Sequence, residues 1–211
     1  MENYGELKDA VSAYLDYNDP KVLDNIPMFI KFANNECNRI LRTPSHENII
    51  YHDVTATDEV KWPVPLDLIE LRRIYYTDTF ETIDRVDIET LPREKYNYSD
   101  ISIDGRPVSF ARSQDWWYLP RPAVVGTTIA IVYYVDTPMF VDDNDTNVNL
   151  RMAGQALLYR SIGEGHRFLE NIEAAEYWFQ KASEEISIVQ EHANKDENAG
   201  SVILQCNNTW F

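Results

Sequence analysis

With 211 residues, 44% of them hydrophobic and 12% aromatic, the chain has enough apolar material for one good core, or for a helical body carrying a smaller sheet. Asp and Glu number 35 against 19 Lys and Arg, a formal charge of -16, which argues against a sequence-independent grip on nucleic-acid phosphates because that grip needs clustered cations. The same charge makes copies repel one another, so any large assembly must be held by apolar or specifically paired contacts.

The opening residues MENYGELKDA are polar and begin a helix. No apolar run approaches the roughly 20 residues that span a bilayer, so the expectation is a soluble, unexported chain with no membrane partner. Tyr4, Leu7, Val11, Tyr14 and Leu15 recur on one helical face, and DYNDP stops that helix. A second apolar stripe, Ile26, Phe29, Ile30, Ala33, Cys37, Ile40 and Leu41, starts with Pro27 in the first turn, where its missing N–H costs little, and with Asp24 or Asn25 as N-cap. Pro44 closes it.

From about Ile49 to Val135 the period changes. NIIYHDVTA, EVKW, LRRIYYTD, ISIDGRPVSFARS, WWYLP and TTIAIVYYVDT are short, aromatic and β-branched, and Pro, Gly and Asp separate them. Asp104-Gly105 is a hairpin signal, and DIETLPREKY reads as a short helix or turn. Strands this close in sequence favour an antiparallel sheet. Helical period then returns: Leu150, Ala153, Ala156, Leu157, Arg160 and Ile162 line a third helix ending near GEGHRF, and Ala175, Trp178, Ala182, Ile186 and Val189 line a fourth.

The expected fold is therefore α+β, an up-down antiparallel four-helix bundle with a small antiparallel β-sheet inserted between the second and third helices. Residues 1–195 form one domain, with helices at about 3–17, 25–42, 148–165 and 171–194 and the β insertion at about 47–137. Residues 196–211 form an extended C-terminal tail, SVILQCNNTWF at its end, too apolar to remain solvated. Val202, Ile203, Leu204, Trp210 and Phe211 are its docking candidates, by strand addition to a neighbour or by burial in a partner pocket, with packing on its own subunit as the plain alternative.

Motifs for chemistry are few. Cys37 and Cys206 share no metal-ligand spacing and read as free thiols, and the Asn-x-Ser/Thr triplets at Asn97, Asn144 and Asn207 read as chance. His46, His52 and Asp53 are the nearest approach to a metal cluster. Asp143, Asp145 and Asn147 resemble the start of a calcium loop, but Val148 stands where its glycine belongs and Gly154 where its bidentate Glu belongs. GEGHRF is a fragment of a phosphate-binding pattern at the wrong end of a helix. No cofactor is implied.

The costliest stretch is QDWWYLPRPAVVGTTIAIVYYVDTP. Strand alternation puts Trp116 and Tyr118 on one side and Trp117 on the other. Core and contact roles are both open to these rings, and Trp117 is assigned to the exposed side. A carbohydrate- or receptor-binding module using strand 116–118, and an enzyme built from the plentiful carboxylates, are the competing readings.

The succession YGELKDAVSAYLDYND, IPMFIKFANNECNRILR, WWYLPRPAVVGTTIAIVYYVDTPMF and QALLYRSIGEGHRFLENIEAAEYWFQKASEEISIV resembles the head-to-tail adaptor proteins of short-tailed double-stranded DNA bacteriophages, up to about Val189. The resemblance implies a structural virion protein and not an enzyme. It also implies self-assembly into a ring, usually twelvefold, beneath the portal, and a platform for the tail nozzle protein. DNA would pass through the lumen without specific binding, and the site would be the head–tail interface of the virion.

Overall fold

The computed structural model describes residues 1–16, 19–55, 60–91 and 106–198. The chain divides into two compact units, one made of Met1–His46 with Thr137 onward and the other of Glu47–Asp136.

The first unit is helical. Helix α1 (Tyr4–Leu15) starts where the Asn3 side chain accepts from the Glu6 N–H, and Tyr4, Leu7, Val11 and Leu15 are its buried face. Tyr14, expected on that face, is exposed, with its ring edge on Trp178. Asp16 takes the left-handed conformation (φ 49°) that ends the helix. A single turn, α2 (Pro20–Leu23), follows, with the Asp19 side chain accepting from Lys21 N–H. In α3 (Ile26–Ile40) the buried stripe is Ile26, Phe29, Ile30, Ala33 and Cys37. Asn25 precedes it without a side-chain cap bond, donating instead to Lys21 O.

Helix α4 (Val148–Phe168) is capped by Asn147, whose side chain accepts from Leu150 N–H, and is interrupted by non-helical backbone at Ala153. It continues through GEGHRF because Gly163 and Gly165 are packing positions. A Cβ on Gly163 would overlap the Phe179 ring, and one on Gly165 would come within 2.7 Å of Leu15 Cδ1. Helix α5 (Ile172–Asn198) packs along α4, burying Ala175, Ala182, Ile186 and Ala193.

The second unit corrects the expected fold class. It holds two sheets rather than one, so a four-helix bundle carrying one small sheet does not describe the chain. Strands β1 (Glu47–Asp53), β7 (Thr128–Val135) and β3 (Leu68–Tyr76) form an antiparallel sheet with β7 central. The second sheet runs β2 (Lys61–Pro63), β6 (Trp116–Tyr118), β5 (Ser109–Ser113), β4 (Asp84–Arg85). Its β4–β5 pair is parallel, which residues 86–108 are long enough to permit. Side-chain periodicity marks strands but carries no statement of which strands pair, and the short aromatic segments pair with one another. Both sheets contribute to one core, with Ile74, Tyr76, Ile129, Ile131 and Tyr133 from the first and Trp62, Phe110 and Trp117 from the second. The Asp104-Gly105 hairpin and the second half of DIETLPREKY lie outside the described residues. Only the turn at its start, with Thr90 and Leu91 N–H donating to Asp87 O, lies within them.

Candidate interaction surfaces

Strand β6 separates its two tryptophans as alternation requires, but in the opposite sense to the expectation. Trp117 is the buried one, 1% exposed, with its edge on Phe110 at 6.2 Å and Trp62 directly across the strand pair. Trp116 is the exposed one at 37%, with Lys61 Nζ 4.5 Å above its ring. The assignment of Trp117 to the surface is therefore corrected. The core of this unit needs a large ring between β5 and β2, and the inward position of β6 supplies it. The same arrangement removes the paired tryptophan platform that a sugar-binding reading requires, since the two rings do not share an open face.

A different face of this unit displays exposed apolar side chains. On the β1-β7-β3 sheet the register aligns Ile49 with Val132 and Arg73, and Tyr51 with Ala130 and Tyr75. Ile49 and Tyr51 on the edge strand are 44% and 65% exposed, while Ala130 and Val132 between the outer strands are covered. Arg73 lies 4.3 Å over the Tyr75 ring, and Phe80 stacks on Tyr75 at 6.0 Å with 71% of its own surface exposed. Glu47 and Arg72 form an ion pair at the same face. Phe80 takes a left-handed φ of 59°, costly for an aromatic residue outside a turn, and the turn at Thr77–Phe80 holds it there through Phe80 N–H to Tyr76 O. Sequence reading marked both segments as strands but did not find this surface. Ile49 and Tyr51 at i and i+2 are the visible signal, and the contribution of Phe80 depends on a turn geometry that composition does not encode.

The helical unit is held by a buried amide network. Asn149 Nδ2 donates to Asn34 Oδ1 (3.0 Å) and Asn38 Oδ1 (2.6 Å), and Asn147 Nδ2 donates to Asn34 Oδ1 and Pro138 O (both 3.0 Å). Asn38 Nδ2 donates to Thr137 O at 3.1 Å. His46 completes it, with Nε2 2.8 Å from Asn149 Oδ1 and Nδ1 2.7 Å from Thr43 Oγ1. Those partners fit a neutral imidazole that donates from Nε2 and accepts at Nδ1. Burial pushes its pKa below the ordinary value, against the upward pull of the Asn149 bond. Six side chains thus fasten α3, the strand-to-helix connection and the start of α4 at one place. None was marked from the sequence as a network, because Asn scattered over more than 100 positions shows no spacing.

A second polar cluster lies on α4. Arg160 Nη2 is 2.6 Å from Glu36 Oε2 and 3.3 Å from Glu164 Oε1, and its guanidinium covers the Phe179 ring at 4.0 Å. Glu164, 4% exposed, also meets Arg167 at 2.9 Å. These are charges paired inside a helix contact, with both carboxylates already occupied by guanidinium groups.

The motifs that suggested ligand chemistry serve as structure. Within DDNDTN, the Asp145 carboxylate accepts from Val141 and Asp142 N–H, which lowers its pKa, and Asp143 pairs with Lys8. The carbonyls of Asp143 and Asp145 accept from Gly5 and Tyr4 N–H at the start of α1. The loop is an anchor for the first helix. His52 tilts against Trp62, centroids 5.4 Å apart, and Asp53 accepts from the Thr128 hydroxyl. Among the described residues no three His, Cys, Asp or Glu side chains converge as a metal site, and no helix is long and apolar enough to cross a membrane. Cys37 is buried, which pushes its thiol up to about 12. Val202, Ile203, Leu204, Trp210 and Phe211 lie outside the described residues.

No curated protein matches the chain significantly. The family model for the SU10 adaptor protein matches the chain over residues 2–204, which reaches beyond Val189, where the resemblance seen in the sequence stops. On that coverage the chain belongs to the SU10 adaptor protein family.

Proposed function

We propose that the protein is a head-to-tail adaptor of the phage virion, a structural subunit and not an enzyme. Its copies form a ring, twelvefold, beneath the portal, complete the DNA channel and provide the platform for the tail nozzle. The observation that carries this reading is the family match across residues 2–204. The geometry is in keeping with it. The amides of Asn34, Asn38, Asn147 and Asn149 and the carboxylates around Arg160 find their partners within the helical unit, and Ile49, Tyr51 and Phe80 are among the apolar side chains left in the open, on a sheet face suited to burial against another chain.

A ring requires a heterologous contact, one face of each subunit on a different face of the next. The Ile49, Tyr51, Tyr75 and Phe80 face is one such face, taking the place first given to Trp117. The tail residues Val202, Ile203, Leu204, Trp210 and Phe211 supply the other contact, onto the portal or a neighbouring subunit. With a formal charge of -16, acidic residues facing the lumen would repel DNA phosphates and keep the genome from adhering during passage.

Native mass measurement of the purified protein, alone and mixed with portal, tests the proposal. The expected outcome is a monomer that becomes a ring on the portal. A chain that remains solitary in the presence of portal would overturn it.

A further inference from the structure

Two open surfaces, one on each compact unit, carry opposite charge. The first is the exposed face of the β1-β7-β3 sheet. Beside Ile49 it holds a shallow depression of about 400 Å³ lined by Glu47, Ile49, Arg72, Arg73, Tyr75 and Val132. Arg72 is neutralised by Glu47. Arg73 is exposed, its guanidinium lies over the Tyr75 ring, and among the described residues no carboxylate pairs with it. A guanidinium held on an aromatic ring is weakly hydrated and keeps its donors free for an incoming carboxylate. The face is therefore apolar with one unmatched cation.

The second surface belongs to the helical unit. Trp178 of α5 has Tyr14 of α1, Tyr159 of α4 and its own neighbour Tyr177 around it, with ring centroids 5.4 to 5.8 Å away. Tyr14 and Tyr177 leave 55% and 56% of their surface open, although three helices hold the cluster in place. Ordered tyrosine and tryptophan rings of this kind are what the centres of protein interfaces are made of. Glu173 lies one turn before Tyr177 on the same side of α5, and Gln180, Glu184 and Glu191 continue that exposed stripe. Lys181 and Lys195 neutralise Glu184 and Glu191, but among the described residues no cation pairs with Glu173. This face is aromatic with one unmatched anion.

Self-pairing of either surface brings like charges together, and a chain of charge -16 has few cations to offset two acidic faces in contact. Each surface instead complements the other. We infer that the sheet face of one copy docks on the α5 face of a second copy, with Tyr177 entering the depression beside Ile49 and Arg73 meeting Glu173. The contact thus runs from the sheet unit of one subunit to the helical unit of its neighbour. It rests on the adaptor reading and supplies the two different faces that a heterologous ring needs.

Charge reversal tests it on the full-length protein mixed with portal, with ring yield read by native mass measurement. Arg73→Glu and Glu173→Arg should each lower the yield by about tenfold or more, because the like-charge contact recurs at every junction. The double variant, carrying both changes, should restore it. An equimolar mixture of the two single variants should restore it too, since subunits alternating around an even-numbered ring present opposite charges at every junction, and that rescue shows both variants to be folded. Single variants that assemble as well as the parent would overturn the inference and leave the adaptor reading standing. So would a loss that neither the double variant nor the mixture repairs. Repair by the double variant alone would place the two residues in contact within one chain and overturn the inference as well. A parent chain that forms no ring on the portal would remove the adaptor reading itself, and this inference with it.

Discussion

Asn149 donates a 2.6 Å hydrogen bond to Asn38, joining the first turn of α4 to the last turn of α3 inside the helical core. Both side chains are buried, and Asn149 uses its other amide hydrogen on Asn34 and its oxygen on His46. A single residue therefore satisfies three others. Replacing it with a leucine of similar bulk leaves Asn34, Asn38 and His46 each short of a partner in a site closed to water. At about 1–3 kcal/mol for each unsatisfied buried group, with partial relaxation, Asn149→Leu should lose about 3–5 kcal/mol. Urea unfolding of the two proteins measures it, and a difference below about 1 kcal/mol would show that the network is not holding the helices together.

His46 gives the same network a pH dependence. Burial holds its pKa below the 6.5 of a solvated histidine. In the unfolded chain it protonates as pH falls through that value, while the native site, which needs Nδ1 as an acceptor for Thr43, resists the proton. The unfolded state thus binds more protons in this window, and stability is full above about pH 6.5 and declines below it. His166, also lowered by burial, adds to the decline. The expected result is a lower urea midpoint at pH 5.5 than at pH 7.5, with the difference reduced in His46→Gln. An unchanged difference in that variant would assign the effect elsewhere.

The helices were legible in the sequence because burial imposes a period on them. Leu7, Val11, Leu15, Phe29, Ile30, Ala33, Leu157 and Ile162 are all in the core where the spacing put them. Pairing was not legible. Trp62 and Trp117 lie opposite one another across two strands separated by some 55 positions, and nothing local states that register. The inside and outside of β6 were inverted for the same reason: alternation fixes which residues share a face but not which face is covered, and that depends on β2 and β5. The amide network is less visible still. Asn is an ordinary loop and cap residue, and only folding reveals that four of them meet.

Gly163 was a glycine of a possible phosphate loop, yet its absent Cβ is what lets α5 approach α4. An added methyl would overlap the Phe179 ring, and moving that ring disturbs the Arg160 guanidinium stacked on it at 4.0 Å. Overpacking of this kind costs about 1–3 kcal/mol, against about 1 kcal/mol gained from the better helix propensity of alanine. Gly163→Ala should therefore be destabilising by up to about 2 kcal/mol. Gly154 lies in the same helix and its Cβ would meet only Leu150 and Met1 side-chain carbons at 3.7 and 3.8 Å, an ordinary contact. Gly154→Ala should be neutral or stabilising by up to about 1 kcal/mol. Thermal unfolding of the pair checks the contrast, and equal shifts would show that helix propensity alone is being read.

The two tryptophans of β6 should separate stability from exposure. Trp117 fills the space between Phe110 and Trp62 with 1% of its surface open, so Trp117→Ala removes a full ring from a closed core at about 3–5 kcal/mol. Trp116 lies on the other side of the same strand, open to solvent, with the Lys61 ammonium 4.5 Å from its ring. An exposed contact of that type is worth about 0.5–1 kcal/mol, so Trp116→Ala should cost about 1 kcal/mol once the partly covered ring edge is included. Differential scanning calorimetry on the isolated subunit would show Trp117→Ala melting well below the parent and Trp116→Ala close to it. If the order were reversed, the sheet would be facing the other way and Trp117 would return as the residue available to a neighbouring chain.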